Sequence, residues 1–361
     1  MTRLRTRTAR TLGLWIAAIL SALPTAAAPP RPTLDARALD ATVLLEIEPL
    51  GSAARSRDAL AAALQEINEI DALTRLDEGD LPLGTLPDDG LAALNRAAGR
   101  GPSPIDPRLA ELLERALHYC RWSQRAHGPV GGRLYGLWGL RRETGSPPLH
   151  EADAAADSAG CDRLRVDRTA ATATLDKGSV ADAWGFARGY AVDRAITVLR
   201  EHGVVSGWVQ IGQVTRALGP GPVGAGWPML ANPKPGHEQL AERVLLQDRA
   251  IAMASLQAGS LRAGGEELPP YVDQRSGRPA RQALAVLVVT ELAVDAEALA
   301  GTLFVLPSRE GEYRLGSLRP DPAVKWMLGA ESSAPLVTEH GWAALPKWVQ
   351  GERFPAPAYG R

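Results

Sequence analysis

The sequence predicts an α+β or mixed α/β fold, in which mixed sheets pack against helices. Segments with the alternation of strands and segments with the period of helices follow each other without the strict repeat of a doubly wound sheet. The 361 residues are enough to bury a full core, in one large domain or in two intimate subdomains. No internal repeat interrupts this pattern.

The first 28 residues have a charged, an apolar and a small-residue region in the order that is typical of a secretory signal peptide. Four arginines precede the apolar run TLGLWIAAILSAL, and the small residues of PTAAAPP follow it. Because Pro29 is a poor residue directly after a cut, we expect cleavage after Ala27 rather than after Ala28. A single membrane anchor is the alternative, but the apolar run is shorter than the ~20 residues that a span needs. The protein is therefore predicted to be exported, with the periplasm as the expected compartment.

The elements of the first half follow from apolar spacing and from turn residues. In order, we expect a linker over 29–40, a strand over 41–50, a helix over 57–73, a polar loop over 77–90, a helix beginning at Pro107, a loop with buried aromatic residues over 131–148, a short helix over 151–160, and two paired strands, RLRVD and TATLD. The helix at Pro107 is the best defined of these, because Asp106 is a suitable N-cap and leucines follow on one face.

The elements of the second half are assigned in the same way. In order, we expect a helix over about 186–202 that ends at Gly203, a strand pair in SGWVQIGQVTRALG, a second strand pair in RVLLQDRAIAMAS, an apolar strand over 283–292, a buried helix in DAEALAGTLFVL and a short helix in AVKWMLGA. We expect one folded unit over 41–345 and a C-terminal tail over 346–361.

Charge and motif content exclude several functions. The net charge of −1 gives no global field that favours nucleic acid or an anionic membrane, so we expect no nucleic-acid partner. The histidines lack zinc-binding spacing, no serine lies in G-x-S-x-G, and the glycines of GPGPVG are followed by no helix and so indicate a turn. Cys120 and Cys161 leave two options open, one disulfide in an oxidising compartment or two free thiols.

The stretch ADAWGFARGYAVDRA has the residues of a helix that begins beside an anion. Gly185 and Gly189 let the backbone come close to a ligand, and Arg188 supplies positive charge. Tyr190 begins the apolar face of the helix that follows. These residues predict a phosphate-binding helix start.

Taken in order along the chain, several segments resemble the FAD:protein FMN transferase (ApbE) family. ADAWGFARGYAVD, DQRSGRP and AEALAGTLFVL are similar to three family motifs, and LYGLWGL is similar to its Trp-Gly motif. The resemblance implies an ApbE-like fold and a magnesium-dependent transfer of the FMN half of FAD onto a Thr or Ser hydroxyl. It implies an exported or membrane flavoprotein as the acceptor and AMP as the second product. Oligomeric state is not implied.

The resemblance also implies roles for individual residues. It assigns nucleotide binding to six residues: Asp182, Gly185, Gly189, Tyr190, Gly212 and Gly277. It assigns catalytic roles to Asp273 and to Arg188, which stands where the family has lysine. Arginine keeps the charge but has a planar fork in place of an ammonium group.

The metal-binding positions of the family are altered in this chain. The family binds magnesium through an aspartate and a threonine one helical turn apart and through a backbone carbonyl, and these positions are Glu297, Gly301 and Ala187 here. Asp295 is a possible substitute ligand, whereas Thr302 is one residue, or about 100°, out of register. Two alternatives to transfer therefore stay open: a non-catalytic protein that binds flavin or a partner, and an enzyme that hydrolyses FAD to FMN and AMP.

Overall fold

The computed structural model describes residues 30–77, 84–139, 147–222, 224–232, 241–256, 261–263, 266–329 and 335–347. The predicted signal peptide with its cleavage site, and the tail from residue 348 onward, lie outside these residues. Within the described ranges, no helix combines the length and the apolar character that a membrane span requires.

The chain forms eight helices and seventeen strands in the described ranges. The helices are α1 (Ala53–Thr74), α2 (Leu91–Arg96), α3 (Pro107–Trp122), α4 (Gly132–Leu137), α5 (Leu149–Asp157), α6 (Ala187–Glu201), α7 (Ala293–Val305) and α8 (Ser308–Leu315). The strands are β1 (Thr33–Ala38), β2 (Ala41–Ile47), β3 (Ser103–Pro104), β4 (Leu164–Asp167), β5 (Thr172–Leu175), β6 (Gly207–Ile211), β7 (Val214–Leu218), β8 (Trp227–Ala231), β9 (Glu242–Leu246), β10 (Ala250–Ser255), β11 (Leu261–Ala263), β12 (Glu266–Leu268), β13 (Val272–Asp273), β14 (Arg278–Pro279), β15 (Ala283–Thr290), β16 (Ala323–Leu328) and β17 (Leu336–His340).

An eight-stranded antiparallel sheet organises the fold, with the order β1-β2-β6-β7-β10-β15-β16-β17. Helices α1, α6 and α7 pack on one face, and the β8–β9 hairpin packs on the other. Strand β15 shows the consequence, because Val286 and Val288 enter the helix-side core while Leu287 and Val289 enter the hairpin-side core. A strand that is buried on both faces has a continuous run of apolar residues in its sequence. The predicted α+β fold is confirmed.

Most predicted helices and several strands are confirmed. Helix α1 begins earlier than predicted, because Ser52 caps it by accepting a hydrogen bond from the Arg55 amide. Helix α3 has Asp106 as its N-cap and Pro107 in its first turn, as predicted. Strands β4 and β5 pair, and so do β6 and β7. Helices α6 and α7 and strand β15 occupy their predicted segments.

The prediction of a linker over 29–40 is wrong for residues 33–38, which form β1. This strand pairs with β2 along its whole length. The turn between them places Leu39 and Asp40 at φ of 52° and 54°, the left-handed conformation that fits the twist of a tight hairpin. The folded unit therefore begins before residue 41.

The prediction of a helix in AVKWMLGA is also wrong, because this segment forms β16 between β15 and β17. Val324 and Trp326 face the helix-side core, while Ala323 and Met327 face the hairpin-side core. Short apolar segments that are buried on both faces have no period by which a strand can be told from a helix. The sheet decides the conformation of this segment.

Three smaller predictions need correction. The strands in RVLLQDRAIAMAS exist but do not pair with each other, because β9 pairs with β8 while β10 joins the main sheet. The loop predicted over 131–148 contains α4, which buries Tyr135. The first two residues of the predicted tail are held by β9, since the Leu245 amide donates to the Pro346 carbonyl and Lys347 bridges to Val244.

Cys120 and Cys161 form a disulfide, which settles the option that the sequence left open. Their Cα atoms are 5.8 Å apart, and the bond joins the end of α3 to the segment before β4. A Cβ on Gly128 would lie 2.5 Å from the Cys120 sulfur. The disulfide therefore packs directly against the loop that follows α3.

Candidate nucleotide-binding cleft

A cleft lies where the start of α6 meets α7 and the ends of several strands. It encloses about 1210 Å³ of empty space, open solvent at its mouth included. Its lining combines charged groups with apolar and aromatic side chains. Five of the predicted site residues line it: Asp182, Gly185, Ala187, Arg188 and Glu297. A concave site with a few convergent polar groups is the usual form of a ligand-binding pocket.

The loop before α6 is fixed by side chains from other elements. Asn95 of α2 donates from its amide nitrogen to the Ala181 carbonyl at 2.9 Å and accepts from the Ala181 amide at 2.8 Å. Asp182 donates its amide to the Pro129 carbonyl, and its carboxylate accepts from the Trp184 amide at 2.9 Å. Gly185 follows with φ of 85°, a conformation that favours glycine. Its missing side chain also makes room for His127, whose Nε2 would lie 2.6 Å from a Cβ there.

Arg188 is held at one end and unpaired at the other. Its Nε donates to the Leu39 carbonyl at 3.1 Å, in the turn between β1 and β2. A Cβ on Gly212, in the turn between β6 and β7, would lie 3.5 Å from the Arg188 Nη1 atom. In the described part of the chain, neither terminal nitrogen has a hydrogen-bond partner or an ion pair. Two hairpin turns thus present an arginine fork to the cleft, a group suited to phosphate.

Glu297 reaches from α7 to the first turn of α6. Its Oε2 accepts a hydrogen bond from the Gly189 amide at 2.7 Å. This amide belongs to the turn whose N–H groups have no partner inside the helix. Burial raises the pKa of Glu297 to about 7, while the Gly189 amide and the Arg188 charge act in the opposite direction. The cleft therefore contains a carboxyl group that changes charge near neutral pH.

Asp193 makes the reverse connection, from α6 to the start of α7. It accepts from the amides of Ala293 and Val294, each at 2.9 Å, and from the guanidinium of Arg216 at 2.6 Å. Each of the two helices thus caps the other with a carboxylate. The two helices also come close together, because a Cβ on Gly189 would lie 2.4 Å from the Ala293 carbonyl oxygen. Gly189 is required here by helix packing, and it does not line the cleft.

A cluster of aromatic side chains packs behind the loop that precedes α6. Trp184 contacts the rings of Tyr135 and Tyr271, with centroids 5.3 and 5.0 Å away. Phe186 stacks on His127 at 5.0 Å. Burial lowers the pKa of His127 to about 4, so its imidazole is neutral at pH 7. Trp184 and Tyr271 line the cleft and offer flat apolar surface to a ring system.

The predicted magnesium site is incomplete on the protein side. Gly301 has no side-chain atom that could bind a metal, and a Cβ there would lie 3.2 Å from Nε2 of His127. Asp295 is paired with Arg115 at 2.7 Å, and Thr302 is buried; neither lines the cleft. Among the described residues, no three His, Cys, Asp or Glu side chains lie together as a metal-binding group. Glu297 fits one oxygen ligand of a divalent cation, and the other ligands would have to come from a bound phosphate and water.

Four further predicted residues are not among those that line the cleft, and each has contacts within the fold. Tyr190 donates its hydroxyl to Glu111 at 2.9 Å. Asp273 caps a turn by accepting from the Arg275 amide and pairs with that side chain at 2.8 Å. Gly277 packs where a Cβ would lie 2.6 Å from the Ala152 carbonyl oxygen. The fourth residue, Gly212, forms the β6–β7 turn beside Arg188.

Sequence reasoning missed another part of the lining. It comes from the end of α1, the β1–β2 turn and β10: Leu39, Asp40, Asp71, Thr74, Arg75, Ala252 and Met253. The β1–β2 turn lies in a segment whose sequence is typical of a linker. Polar residues at the end of an amphipathic helix are ordinary surface residues by pattern, so the end of α1 gave no signal.

Known proteins share the sequence pattern and the fold of this chain. The family model described as the ApbE family matches residues 40–324. The FAD:protein FMN transferase of Treponema pallidum is 27% identical over 265 residues, which cover 68% of this chain and 71% of that protein. The ApbE protein of Thermotoga maritima superposes with a TM-score of 0.72 at 20% identity, over 85% of this chain and 96% of that one. The flavin transferase ApbE of Vibrio cholerae superposes with a TM-score of 0.71 at 19% identity, over 86% and 97%. The chain belongs to the ApbE family.

Proposed function

We propose that the protein transfers the FMN half of FAD to a Thr or Ser hydroxyl of a partner protein and releases AMP. The observation that carries the proposal is the Arg188 fork, which is fixed by the Leu39 carbonyl and faces the cleft with terminal nitrogens that no described residue pairs. The curated relatives that bear the name FAD:protein FMN transferase support the choice of reaction.

In this reaction, the acceptor hydroxyl oxygen bonds to the phosphorus of the FMN half. The bond between that phosphorus and the bridging oxygen breaks, AMP leaves with that oxygen, and the hydroxyl proton is released. Most of the catalysis in such a step comes from positioning and from charge stabilisation. Arg188 supplies both, because its fork can bind two phosphate oxygens at once.

Charge explains why the site would need a cation. A pyrophosphate beside Arg188 also approaches the Glu297 carboxylate, since both residues line the cleft. Two like charges at short range in a partly buried site are unfavourable. We propose that Mg²⁺ binds to Glu297 and to phosphate oxygens, where it would neutralise the pyrophosphate and the departing AMP. Glu297 in turn keeps the start of α6 in place through the Gly189 amide.

A direct assay tests the proposed transfer. The purified protein is incubated with FAD, Mg²⁺ and a peptide that carries a Thr acceptor, and the products are separated and weighed by mass spectrometry. We expect flavin bound covalently to the peptide, and none on a matched peptide with Ala at the acceptor position. Release of free FMN without labelled peptide would identify an FAD hydrolase. Retention of intact FAD in every reaction would support a non-catalytic flavin-binding protein.

We also propose that the protein is exported to the periplasm and that its acceptor is an exported or membrane flavoprotein. The arginine-rich, apolar and small-residue order of the N-terminus supports export. The Cys120–Cys161 disulfide supports an oxidising compartment. N-terminal sequencing of the protein from the periplasmic fraction should give a start at Ala28 or Pro29. An intact Met1 on protein from the cytoplasm would contradict export.

A further inference from the structure

The proposed transfer frees the proton of the acceptor hydroxyl, and this proton needs an acceptor in the cleft. The group that takes such a proton is usually an imidazole or a carboxylate within hydrogen-bond reach of the hydroxyl. No histidine is among the described residues that line the cleft, whereas four carboxylates line it: Asp40, Asp71, Asp182 and Glu297. The candidates for the proton acceptor are therefore these four carboxylates.

Three of the four carboxylates are held by other groups. Asp71 pairs at 3.3 Å with Arg75, four residues further along the chain. Asp182 is buried and accepts a hydrogen bond from a backbone amide of its own loop at 2.9 Å. Glu297 accepts from a backbone amide at 2.7 Å and is the proposed ligand of Mg²⁺. A carboxylate that already binds a cation or accepts hydrogen bonds is a weaker base for a further proton.

Asp40 differs from these three because it is exposed and has no hydrogen-bond or ion-pair partner among the described residues. Its backbone is nevertheless fixed, since it lies in the tight turn that β1 and β2 close by pairing Ala38 with Ala41. Its φ of 54° is in the left-handed region, which aspartate adopts more readily than most residues do. A rigid turn thus carries an uncommitted carboxylate at the edge of the cleft.

The same turn holds the proposed phosphate-binding arginine. The Leu39 carbonyl, directly before Asp40, accepts from Nε of Arg188 at 3.1 Å. Ala41, directly after Asp40, lies close to the other end of this arginine: a Cβ on Gly212 would lie 3.3 Å from the Ala41 Cβ and 3.5 Å from Nη1 of Arg188. A phosphorus atom held by this fork, and the hydroxyl that attacks it, therefore lie near Asp40.

We propose that Asp40 is the general base of the transfer, an inference that rests on the proposed function. One oxygen of its carboxylate accepts the hydroxyl proton while the hydroxyl oxygen bonds to the phosphorus of the FMN half. The bond from that phosphorus to the bridging oxygen breaks, and AMP leaves with the electron pair. The resulting carboxylic acid then gives its proton to water. An aspartate has the same role towards the attacking hydroxyl in protein kinases.

Replacement of Asp40 by glycine tests this role without straining the turn, because glycine adopts a φ of 54° freely. The matched control is Asp248→Gly, at a second exposed aspartate with φ of 52°, in the turn between β9 and β10 and outside the cleft lining. We expect Asp40→Gly to lower the rate of flavin transfer to the Thr peptide by about 10²–10⁴-fold, and the control to keep the wild-type rate. FAD affinity, measured by flavin fluorescence, should not fall in either variant.

Formate separates a missing base from a damaged site. Asp40→Gly leaves space for this small carboxylate, so sodium formate should restore part of the transfer rate, and sodium chloride at the same concentration should not. Asp40→Asn, which fills the space and cannot accept the proton, should lose activity and gain nothing from formate.

A wild-type rate in Asp40→Gly, weaker FAD binding by this variant, or no restoration by formate would overturn Asp40 as the base and leave the transferase in place. A wild-type protein that binds FAD and labels no peptide would refute the transferase and its base together. The two failures are therefore distinguishable.

Discussion

Helices α6 and α7 begin side by side, and each start is capped by a carboxylate from the other helix, but the two caps differ in their surroundings. Asp193 caps α7 and accepts from two amides and from buried Arg216. Glu297 caps α6 and accepts from the Gly189 amide, faces the cleft, and has no ion pair among the described residues. The Asp193 cap accepts three hydrogen bonds from the protein, one of them from an arginine, whereas the Glu297 carboxylate faces the cleft and keeps capacity to bind a ligand.

The difference separates a structural carboxylate from a functional one. A buried acid that is bonded to an arginine and to two backbone amides holds elements together and has little capacity left for a ligand. A carboxyl group with a pKa raised to about 7 in a cleft is the kind of group found at functional sites. The two arginines differ in the same way, because Arg216 is paired with Asp193 while the terminal nitrogens of Arg188 have no partner among the residues that the structure describes.

The largest expected effect comes from removing the structural cap. Asp193→Asn leaves the Arg216 charge buried without its partner and weakens the cap of α7. We expect a loss of about 3–5 kcal/mol in the free energy of unfolding. Urea denaturation measures this loss, with Glu297→Gln as the matched amide variant. A smaller loss for Asp193→Asn than for Glu297→Gln would reverse the comparison.

The next largest effect is expected on FAD binding, from replacement of Arg188 in contrast to Arg216. Arg188→Ala should weaken FAD binding by about 10–100-fold with little change in stability, because it removes charged hydrogen bonds to phosphate and a single bond to the protein. Arg188→Lys should lie between Ala and the wild type, since it keeps the charge and loses the fork. Arg216→Ala should instead destabilise the fold. Fluorescence titration measures FAD affinity, and thermal unfolding measures stability. An unfolded Arg188→Ala protein would show that Arg188 is needed for folding rather than for FAD binding.

A third effect compares one glycine from each helix. Gly189→Ala should destabilise the protein by about 1–3 kcal/mol, because its Cβ would meet the Ala293 carbonyl oxygen at 2.4 Å and the helices must separate. Gly301→Ala should change stability by less than about 1 kcal/mol, because the better helix propensity of alanine offsets a 3.2 Å contact with His127. Thermal unfolding of both variants measures the two losses of stability. An equal loss in both would show that His127 cannot move away from the new Cβ at position 301.

The smallest effect is a pH dependence caused by Glu297. Its pKa of about 7 in the folded protein exceeds the ordinary value of 4.5, so its contribution to stability is full below pH 4.5 and is lost as the pH rises to 7. Glutamine cannot ionise and still accepts the Gly189 hydrogen bond. Glu297→Gln should therefore match the wild type near pH 4.5 and exceed it at pH 8 by on the order of 1–2 kcal/mol, allowing for partial solvent screening.

Unfolding at the two pH values measures this effect, and Glu291→Gln, at an exposed position, serves as the control. A constant difference between wild type and Glu297→Gln across the pH range would show that Glu297 stays ionised in the folded protein.

The sequence alone determined those features that depend on neighbours along the chain. The N-cap and first-turn proline of α3, the long helices and the apolar strand β15 follow from local spacing and capping. The family motifs keep their order along the chain, and Arg188 and Glu297 lie within them. These signals are local in sequence, so they can be read without coordinates.

Only the tertiary structure decided features that depend on contacts between distant segments. Strand β1 is fixed by pairing with β2, and strand β16 is fixed by pairing with β15, which lies apart from it in the sequence, and with β17, which is not apparent in the sequence. Asp273 and Gly277 match the family motif and also hold a turn together, whereas His127, which no motif marks, is buried with a ring nitrogen that has no hydrogen-bond partner among the described residues. A motif fixes which residue types are present, but a residue's function depends on the atoms around it, and packing between distant segments brings those atoms together.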